Sequence, residues 1–205
     1  MSIPNLPWQA PRLGGRHVAL EPLALEHIEG LSLALQGDEL ARLWYTNVPK
    51  AADAGAWIRA ALEKQRQGLE TPFAVLDADG SVVGSTRFYD MDASVPKLSI
   101  GYTWYAPRVQ RSGLNTEAKL LLLAHAFETL QCASVYLETS WFNHASRTAI
   151  ARLGARQDGV LRNHRRHADG SLRDTVVFSI LGNEWPGVKS NLLHRLEQGD
   201  RSHGR

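Results

Sequence analysis

The sequence has 205 residues, of which 43% are hydrophobic and 21% are charged. This balance predicts a globular protein with one sizeable core and excludes a predominantly disordered chain. The formal net charge of +2 is small and the basic residues are spread along the chain, so charge alone does not predict a nucleic-acid-binding protein, although it slightly favours anionic ligands.

The N-terminal segment, residues 1–12, is rich in proline and is predicted to form an arm that leads into the fold. It lacks the cationic start and the apolar centre of a secretion signal. No stretch of the sequence reaches the roughly 18 apolar residues of a membrane span. We therefore expect a cytoplasmic protein with no membrane partner.

The first half of the chain is predicted to contain a strand, two helices and a hairpin. Residues 16–23, RHVALEPL, alternate polar and apolar side chains as a half-buried strand does. Helical spacing then covers residues 25–43, with one interruption, and residues 51–67. Residues 71–92 are predicted as two strands joined at Asp79-Gly80, a dipeptide that tolerates the positive φ of a tight hairpin.

The second half continues with strands and helices in alternation. The predicted elements are the strand KLSIGYTWY, a leucine-rich helix after residue 113, the strand ASVYLETS, the helix NHASRTAIARLGA, the strands GVLRNHRR and DTVVFSIL, and a final helix NEWPGVKSNLLHRL. This order predicts one α/β (α+β) domain over residues 13–197, with helices on both faces of a mixed, mostly antiparallel central sheet of about seven strands. A flexible tail is expected over residues 198–205.

The single cysteine, Cys132, lies in the apolar segment CASVYL. One cysteine allows no internal disulfide, so a reducing compartment is the simplest expectation. Its neighbours supply no positive charge to lower the thiol pKa, which argues against a nucleophilic thiolate.

Residues 109–127, VQRSGLNTEAKLLLLAHAF, place a small polar loop directly before a leucine-rich helix. The first N–H groups of a helix are unpaired and lie at the positive end of its dipole, so such a loop suits a phosphate group. The alternative is that Asn115 or Thr116 is simply the N-cap and Gly113 permits the turn. Neither a P-loop nor a Gly-x-Gly-x-x-Gly dinucleotide motif is present in the sequence.

The loop sequence Gln110-Arg111-Ser112-Gly113-Leu114-Asn115 resembles the Gln/Arg-x-x-Gly-x-Gly/Ala signature of the GCN5-related N-acetyltransferases (GNAT). In that family the loop amides hold the pyrophosphate of acetyl-coenzyme A. The preceding IGYTWYAP resembles the family's splayed strand, which implies a sheet that is splayed at the acetyl-CoA site. The resemblance implies cofactor contacts from Trp104 and Tyr105 through their backbone, and from Gln110, Arg111, Ser112, Gly113, Leu114, Asn115 and Thr116.

The segment NHASRTAIARLG, residues 143–154, resembles the N-x-x-S-x-x-x-x-x-x-L-G helix of the RimJ/RimL-type branch. That branch includes ribosomal-protein N-terminal acetyltransferases. The resemblance implies that Asn143 binds the pantetheine arm and that Ser146 is the general acid near the sulfur. From the residues alone, Asn143 is equally an N-cap and Ser146 a polar residue of the first turn.

The general base is left open by the sequence. Related sequences often have Glu where this chain has Ser99, which cannot accept a proton at neutral pH. The alternatives are Asp90, Asp92 or Glu138 acting through water, His144, or an amine that arrives already neutral.

The acceptor site is expected to involve variable loops at residues 44–52 and 90–97. Arg87 and Tyr89 share one face of a strand and are predicted to line the acceptor cleft, with packing beside the sheet as the alternative. The basic stretch Arg162, His164, Arg165, Arg166 and His167 suits an acidic peptide or the cofactor's 3′-phosphate, or is a solvated edge. His164 and His167 lack a third ligand, so no metal site is predicted.

The sequence therefore predicts an acetyl-CoA-dependent N-acetyltransferase that acts by direct transfer in a ternary complex, without a metal. Its acceptor is an amine on a small molecule or a protein N-terminus, and no nucleic-acid partner is expected. The alternative is a non-catalytic acyl-CoA-binding module or sensor with the same fold. A homodimer is an expectation taken from the RimJ/RimL-type branch.

Overall fold

The computed structural model describes residues 10–203, and side chains up to residue 199. Most of the predicted N-terminal arm, residues 1–9, lies outside this range. The strands are β1 (Leu13–Gly14), β2 (Val18–Pro22), β3 (Glu70–Asp77), β4 (Val82–Asp92), β5 (Lys97–Tyr105), β6 (Ser134–Ser140), β7 (Arg156–Arg166) and β8 (Leu172–Leu181). The helices are α1 (Ile28–Ala34), α2 (Ala54–Arg66), α3 (Leu114–Ala124), α4 (His144–Leu153) and α5 (Trp185–His203).

All eight strands belong to one sheet with the order β1-β2-β3-β4-β5-β6-β8-β7. Every neighbouring pair is antiparallel except β5 and β6, which are parallel. The predicted mixed, mostly antiparallel sheet is thereby confirmed, with the two-residue β1 as an additional edge strand. The parallel pair joins the first half of the chain to the second through only Lys97–Ser99 and Ser134–Tyr136.

Helices cover both faces of the sheet, as predicted, because the strand side chains alternate between two apolar clusters. The larger cluster lies between the sheet and α3, α4 and α5, and includes Phe88, Ile100 and Val135. The smaller lies under α1 and α2 and includes Ile58 and Trp104. The predicted leucine-rich helix contributes Leu122 and Leu123, both fully buried, to the larger cluster.

The first predicted helix, residues 25–43, is shorter than its apolar spacing indicated. A 3-10 turn at Leu25–His27 leads into α1, which ends at Ala34. Gly37 and Asp38 have φ angles of 87° and 53°, and this left-handed backbone prevents the helix from continuing.

The final helix is longer than predicted, since α5 continues to His203 and includes residues expected to form a tail. The prediction for Gly80 is confirmed, since it has φ 80° in the β3–β4 turn. Gly154 has φ 106° where α4 ends, a left-handed angle that glycine adopts readily.

Candidate active site

A cleft opens between β5 and β6, where the two strands separate beyond the Ser99–Tyr136 pair. A β-bulge distorts β5 beside the cleft, because Arg87 pairs with Gly101 but Ser85 pairs with Trp104. Tyr102 lies in the bulge with φ 52°. The β5 backbone from Ile100 onward therefore has no β6 ladder partner in the described part of the chain, which leaves polar groups for a ligand.

Trp104 and Tyr105 form the last residues of β5 beside this cleft. The Trp104 side chain is 5% exposed and its ring contacts that of Trp57 at 6.2 Å between centroids. The Trp104 side chain therefore packs in the core. Cofactor binding by the backbone of the two residues stays a prediction.

The polar loop after β5 consists of a 3-10 turn, Pro107–Val109, and residues 110–113 ahead of α3. Gln110 Nε2 donates to the Tyr105 carbonyl at 3.0 Å, and Ser112 Oγ donates to the Val109 carbonyl at 2.7 Å. These side-chain hydrogen bonds to nearby carbonyls stabilise the backbone conformation of the loop. The left-handed residue of the loop is Arg111, with φ 61°.

The alternative that Asn115 or Thr116 is merely an N-cap is wrong. Both lie inside the first turn of α3, after Gly113 in the N-cap position. The first i→i−4 bond of the helix is donated by the Glu117 N–H to the Gly113 carbonyl at 3.0 Å. The N–H groups of Asn115 and Thr116 come before this bond and therefore have no i→i−4 acceptor within the helix. A half-buried helix start with such amides fits a phosphate group.

At Gly113 the lack of a side chain serves close packing and not an unusual backbone angle. Its φ is −64°, and a Cβ at this position would meet the His17 ring at 3.3 Å. The loop therefore rests against the turn that precedes β2.

Glu117 fixes that turn against α3, a role that the sequence analysis missed. Its buried carboxylate accepts the backbone N–H groups of Arg16 at 2.8 Å, His17 at 2.5 Å and Val18 at 3.1 Å. A carboxylate with several backbone donors is well satisfied when buried. The only sequence signal was a charged residue on the helix face that otherwise carries buried leucines.

Asn143 is the N-cap of α4, as one of the two interpretations held. Its Oδ1 accepts the Ser146 N–H at 3.0 Å, which satisfies one unpaired amide of the helix. Ser146 is half-buried in the first turn of α4. Cofactor contact by Asn143 and proton donation by Ser146 stay predictions.

Arg87 and Tyr89 are both on β4 and both buried, at 3% and 7% exposure. Arg87 Nη1 is 2.5 Å from Glu70 Oε2, and the guanidinium lies 4.2 Å from the Trp57 ring centroid and 4.6 Å from that of Tyr102. Tyr102 also contacts Tyr89 edge-on at 5.4 Å. Arg87 is therefore placed to support Tyr102, and direct acceptor contact by Arg87 or Tyr89 stays a prediction.

An open trough of about 520 Å³ begins where β5 and β6 part and runs across β8 and β7. Its lining includes Asp90, Ser99, Glu138 and Asp158. Two of the candidate bases, Asp90 and Glu138, are thus brought together beside Ser99. Glu138 Oε2 accepts a hydrogen bond from Arg165 Nη2 at 2.9 Å.

The other candidate bases lie elsewhere. Asp92 accepts hydrogen bonds from the hydroxyl and N–H of Ser94, which lower the pKa of its carboxyl. His144 is exposed at the start of α4. Neither side chain is in the trough lining, and the identity of the general base stays a prediction.

The basic stretch of the β7–β8 hairpin is largely paired internally. Arg162 Nε is 2.6 Å from Asp174, Arg165 bonds Glu138, and Arg166 donates to the Gly170 carbonyl at 2.8 Å. His167 differs from the predicted solvated edge, because it is buried and its ring lies 4.8 Å from that of Trp44.

Cys132 is buried, and burial raises the pKa of its thiol to about 11. The thiol is therefore protonated at neutral pH, in agreement with the sequence argument. Within residues 10–203 no group of three or more His, Cys, Asp or Glu side chains could hold a metal ion. No helix in that range is long and apolar enough to cross a membrane.

Lys119 is a second unexpected feature, because it lies in the leucine-rich run yet is only 6% exposed. Its Nζ donates to Thr103 Oγ1 at 2.9 Å, and Thr103 Oγ1 is 2.8 Å from Thr86 Oγ1. Burial lowers the pKa of Lys119 to about 7. No acidic side chain contributes to this shift.

We expect this lysine to make stability depend on pH. Between pH 7 and the ordinary lysine pKa of 10.5, the unfolded chain binds a proton that the folded chain lacks. The free energy of unfolding therefore rises with pH in this window, by up to about 1.4 kcal/mol per pH unit. Urea unfolding of the parent and of Lys119→Met at pH 7, 8 and 9 measures this pH dependence. If the free energy of unfolding changed with pH equally in the two proteins, the prediction would be wrong.

Comparison with known proteins agrees with this geometry. A family model described as an acetyltransferase (GNAT) domain matches residues 17–156. YdaF of Bacillus subtilis (strain 168), named as a candidate ribosomal N-acetyltransferase, is 30% identical over 171 residues, which span 83% of this chain and 92% of YdaF.

Solved structures extend the comparison to the fold. A GCN5-related N-acetyltransferase from Brucella melitensis superposes with a TM-score of 0.82 at 30% identity, over 91% of this chain and 85% of that one. RimJ of Mycobacterium smegmatis in complex with CoA-disulfide gives 0.77 at 21% identity, over 90% and 94% of the two chains, which shows the shared fold.

The fold and the parted strands define an acyltransferase, the class to which these relatives belong. The chain belongs to the GNAT acetyltransferase family. The names of its relatives support the RimJ/RimL-type branch.

Proposed function

We propose that the protein transfers the acetyl group of acetyl-CoA to a primary amine, carried by a small molecule or a protein N-terminus, by direct transfer in a ternary complex. The observation that carries this proposal is the opening between β5 and β6 beside the first-turn amides of α3. The bound CoA-disulfide in the similarly folded RimJ supports a coenzyme A ligand.

The residues have distinct roles in this proposal. The N–H groups of Asn115 and Thr116 and the loop before them bind the pyrophosphate, and the free edge of β5 binds the pantetheine amides. The thioester supplies an activated acetyl group, so the protein needs to orient the amine, stabilise the developing oxyanion and protonate the departing thiolate. A trough carboxylate, Asp90 or Glu138, is the proposed proton acceptor through water.

The test is thiol release from acetyl-CoA in the presence of a panel of amines. Amine-dependent release supports the enzyme. Tight binding of acetyl-CoA without such release favours the acyl-CoA-binding module, a candidate that Ser99 supports because it occupies the position where related sequences often have a carboxylate. Cytoplasmic location and dimerisation stay predictions.

Ser146→Ala is expected to slow turnover and spare cofactor binding, because it removes only the proposed proton donor. The decrease in kcat is expected to be up to about 100-fold, since a thiolate is a moderately good leaving group without assistance. Steady-state kinetics with calorimetry of acetyl-CoA binding measures both effects. Thr148→Ala is the matched control, because Thr148 is an exposed residue of the same helix. An unchanged kcat in Ser146→Ala would contradict the role of Ser146 as proton donor.

A further inference from the structure

Arg173 lies on β8, four residues before Val177, which lines the trough. Side chains an even number of positions apart on a strand share a face, so Arg173 is on the face of the sheet that carries the trough. It is the cross-strand partner of Arg165, which bonds the trough residue Glu138.

The Arg173 guanidinium has no carboxylate of its own. Its Nε is buried without an acceptor, and it makes no ion pair with any other described side chain. Glu138, the carboxylate whose charge acts on it, is already bonded to Arg165 at 2.9 Å. Arg173 is half-buried, and a partly buried charge without a counter-ion is costly, so a ligand that supplies an anion would be favoured here.

The opposite sign of charge lies further along the same surface. Asp90 and Asp158 line the trough near Ser99, where β5 and β6 begin to separate. An ammonium group is attracted to these carboxylates, and an anionic group to Arg173. The surface is thus complementary to a molecule that carries both.

An aromatic wall lies near Arg173. His167 follows Arg166, which pairs with Leu172, so His167 is at the same end of the β7–β8 hairpin as Arg173. Its ring contacts Trp44, and the Trp44 ring lies 5.1 Å from that of Phe142. These residues come from the α1–α2 connection, the β6–α4 turn and the β7–β8 hairpin. Partial exclusion of water by this wall strengthens an ion pair made by Arg173.

We propose that the acceptor is a zwitterion, a primary amine that carries a carboxylate, and that Arg173 binds this carboxylate through its two-pronged guanidinium. This inference rests on the proposed acetyl transfer and names its acceptor class. The carboxylate has two sources, the α-carboxylate of a free amino acid or an acidic side chain near a peptide N-terminus.

The test compares acceptors that differ only in this charge. Alanine is paired with alaninamide, and aspartyl-alaninamide with asparaginyl-alaninamide, so that each source has its own arm. We expect the carboxylate member of at least one pair to have about tenfold higher kcat/KM in the parent protein. Arg173→Met, which keeps an unbranched side chain but removes the guanidinium, should abolish this preference and leave the KM for acetyl-CoA unchanged.

Arg162→Met is the matched control, because Arg162 is 79% exposed and pairs with Asp174 on the hairpin. It should retain the preference, and a thermal melt of each variant checks folding. Equal rates within both pairs, or a preference that survives Arg173→Met, would overturn the proposal, as would an altered acetyl-CoA KM.

Calorimetry with the same four amines on the CoA-saturated protein gives a readout that does not need turnover. Tighter binding of a carboxylate member that is lost in Arg173→Met supports the anion site, whether or not any amine is acetylated. A lack of acetylation of every amine would reject the proposed function and not the anion site. Equal binding within both pairs rejects the anion site and leaves acetyl transfer to be judged from CoA release.

Discussion

Glu117→Ala is expected to lower the free energy of unfolding by about 2–4 kcal/mol, because it leaves the N–H groups of Arg16, His17 and Val18 without their carboxylate. Each buried donor that loses its acceptor costs about 1–3 kcal/mol, and partial exposure of this turn reduces the sum. Urea unfolding monitored by tryptophan fluorescence measures the change.

Two further variants make the Glu117 experiment specific. Glu117→Gln keeps one acceptor oxygen and should cost less than the alanine variant. Glu63→Ala removes a surface carboxylate on α2 that pairs with Arg66, and should change stability by less than about 0.5 kcal/mol. Equal stabilities for Glu117→Ala and Glu63→Ala would show that the turn does not depend on this carboxylate.

Gly113→Val is expected to weaken acetyl-CoA binding by about tenfold or more, equivalent to about 1.4 kcal/mol. The added Cβ would meet the His17 ring at 3.3 Å, and the branched methyl groups would enlarge this conflict. The His17 ring or the loop must then shift, and we expect the branched side chain to move the loop and the first turn of α3, which displaces the amides proposed to hold the pyrophosphate. Calorimetric titration with acetyl-CoA gives the affinity.

The double variant Gly113→Val with His17→Ala tests this cause. Removal of the ring should restore part of the affinity if the loss comes from loop displacement. Gly187→Val adds the same side chain where no atom lies within 4 Å of the new Cβ, and it controls for a general effect of valine. Wild-type affinity in Gly113→Val would contradict the phosphate-binding role of the loop.

The strands and their connections were predictable because they follow from local pattern. The strand KLSIGYTWY coincides with β5, and the Asp79-Gly80 turn joins β3 to β4 as predicted. Asn143 was also predictable as a cap, since it precedes a helical repeat and carries a short side-chain acceptor.

The features that were missed depend on contacts between distant parts of the chain. Glu117 bonds residues about a hundred positions earlier, and no local pattern reveals such partners. Lys119 is buried against Thr103 although its charge predicts exposure. Tyr102 and Arg111 adopt left-handed backbone angles that favour Gly or Asn, so their residue types gave no signal.

The short parallel contact between β5 and β6 has a consequence for how a ligand is accommodated between them. Only Lys97–Ser99 and Ser134–Tyr136 form ladder pairs, but Ile100 and Leu137 on either side of the gap still share the large apolar cluster. Side-chain packing has no directional requirement, so it holds the two sides together where the two strands form no ladder pairs. In the proposed complex, pantetheine, which contains two amides of its own, takes the place of the missing length of strand without disturbing the core beneath.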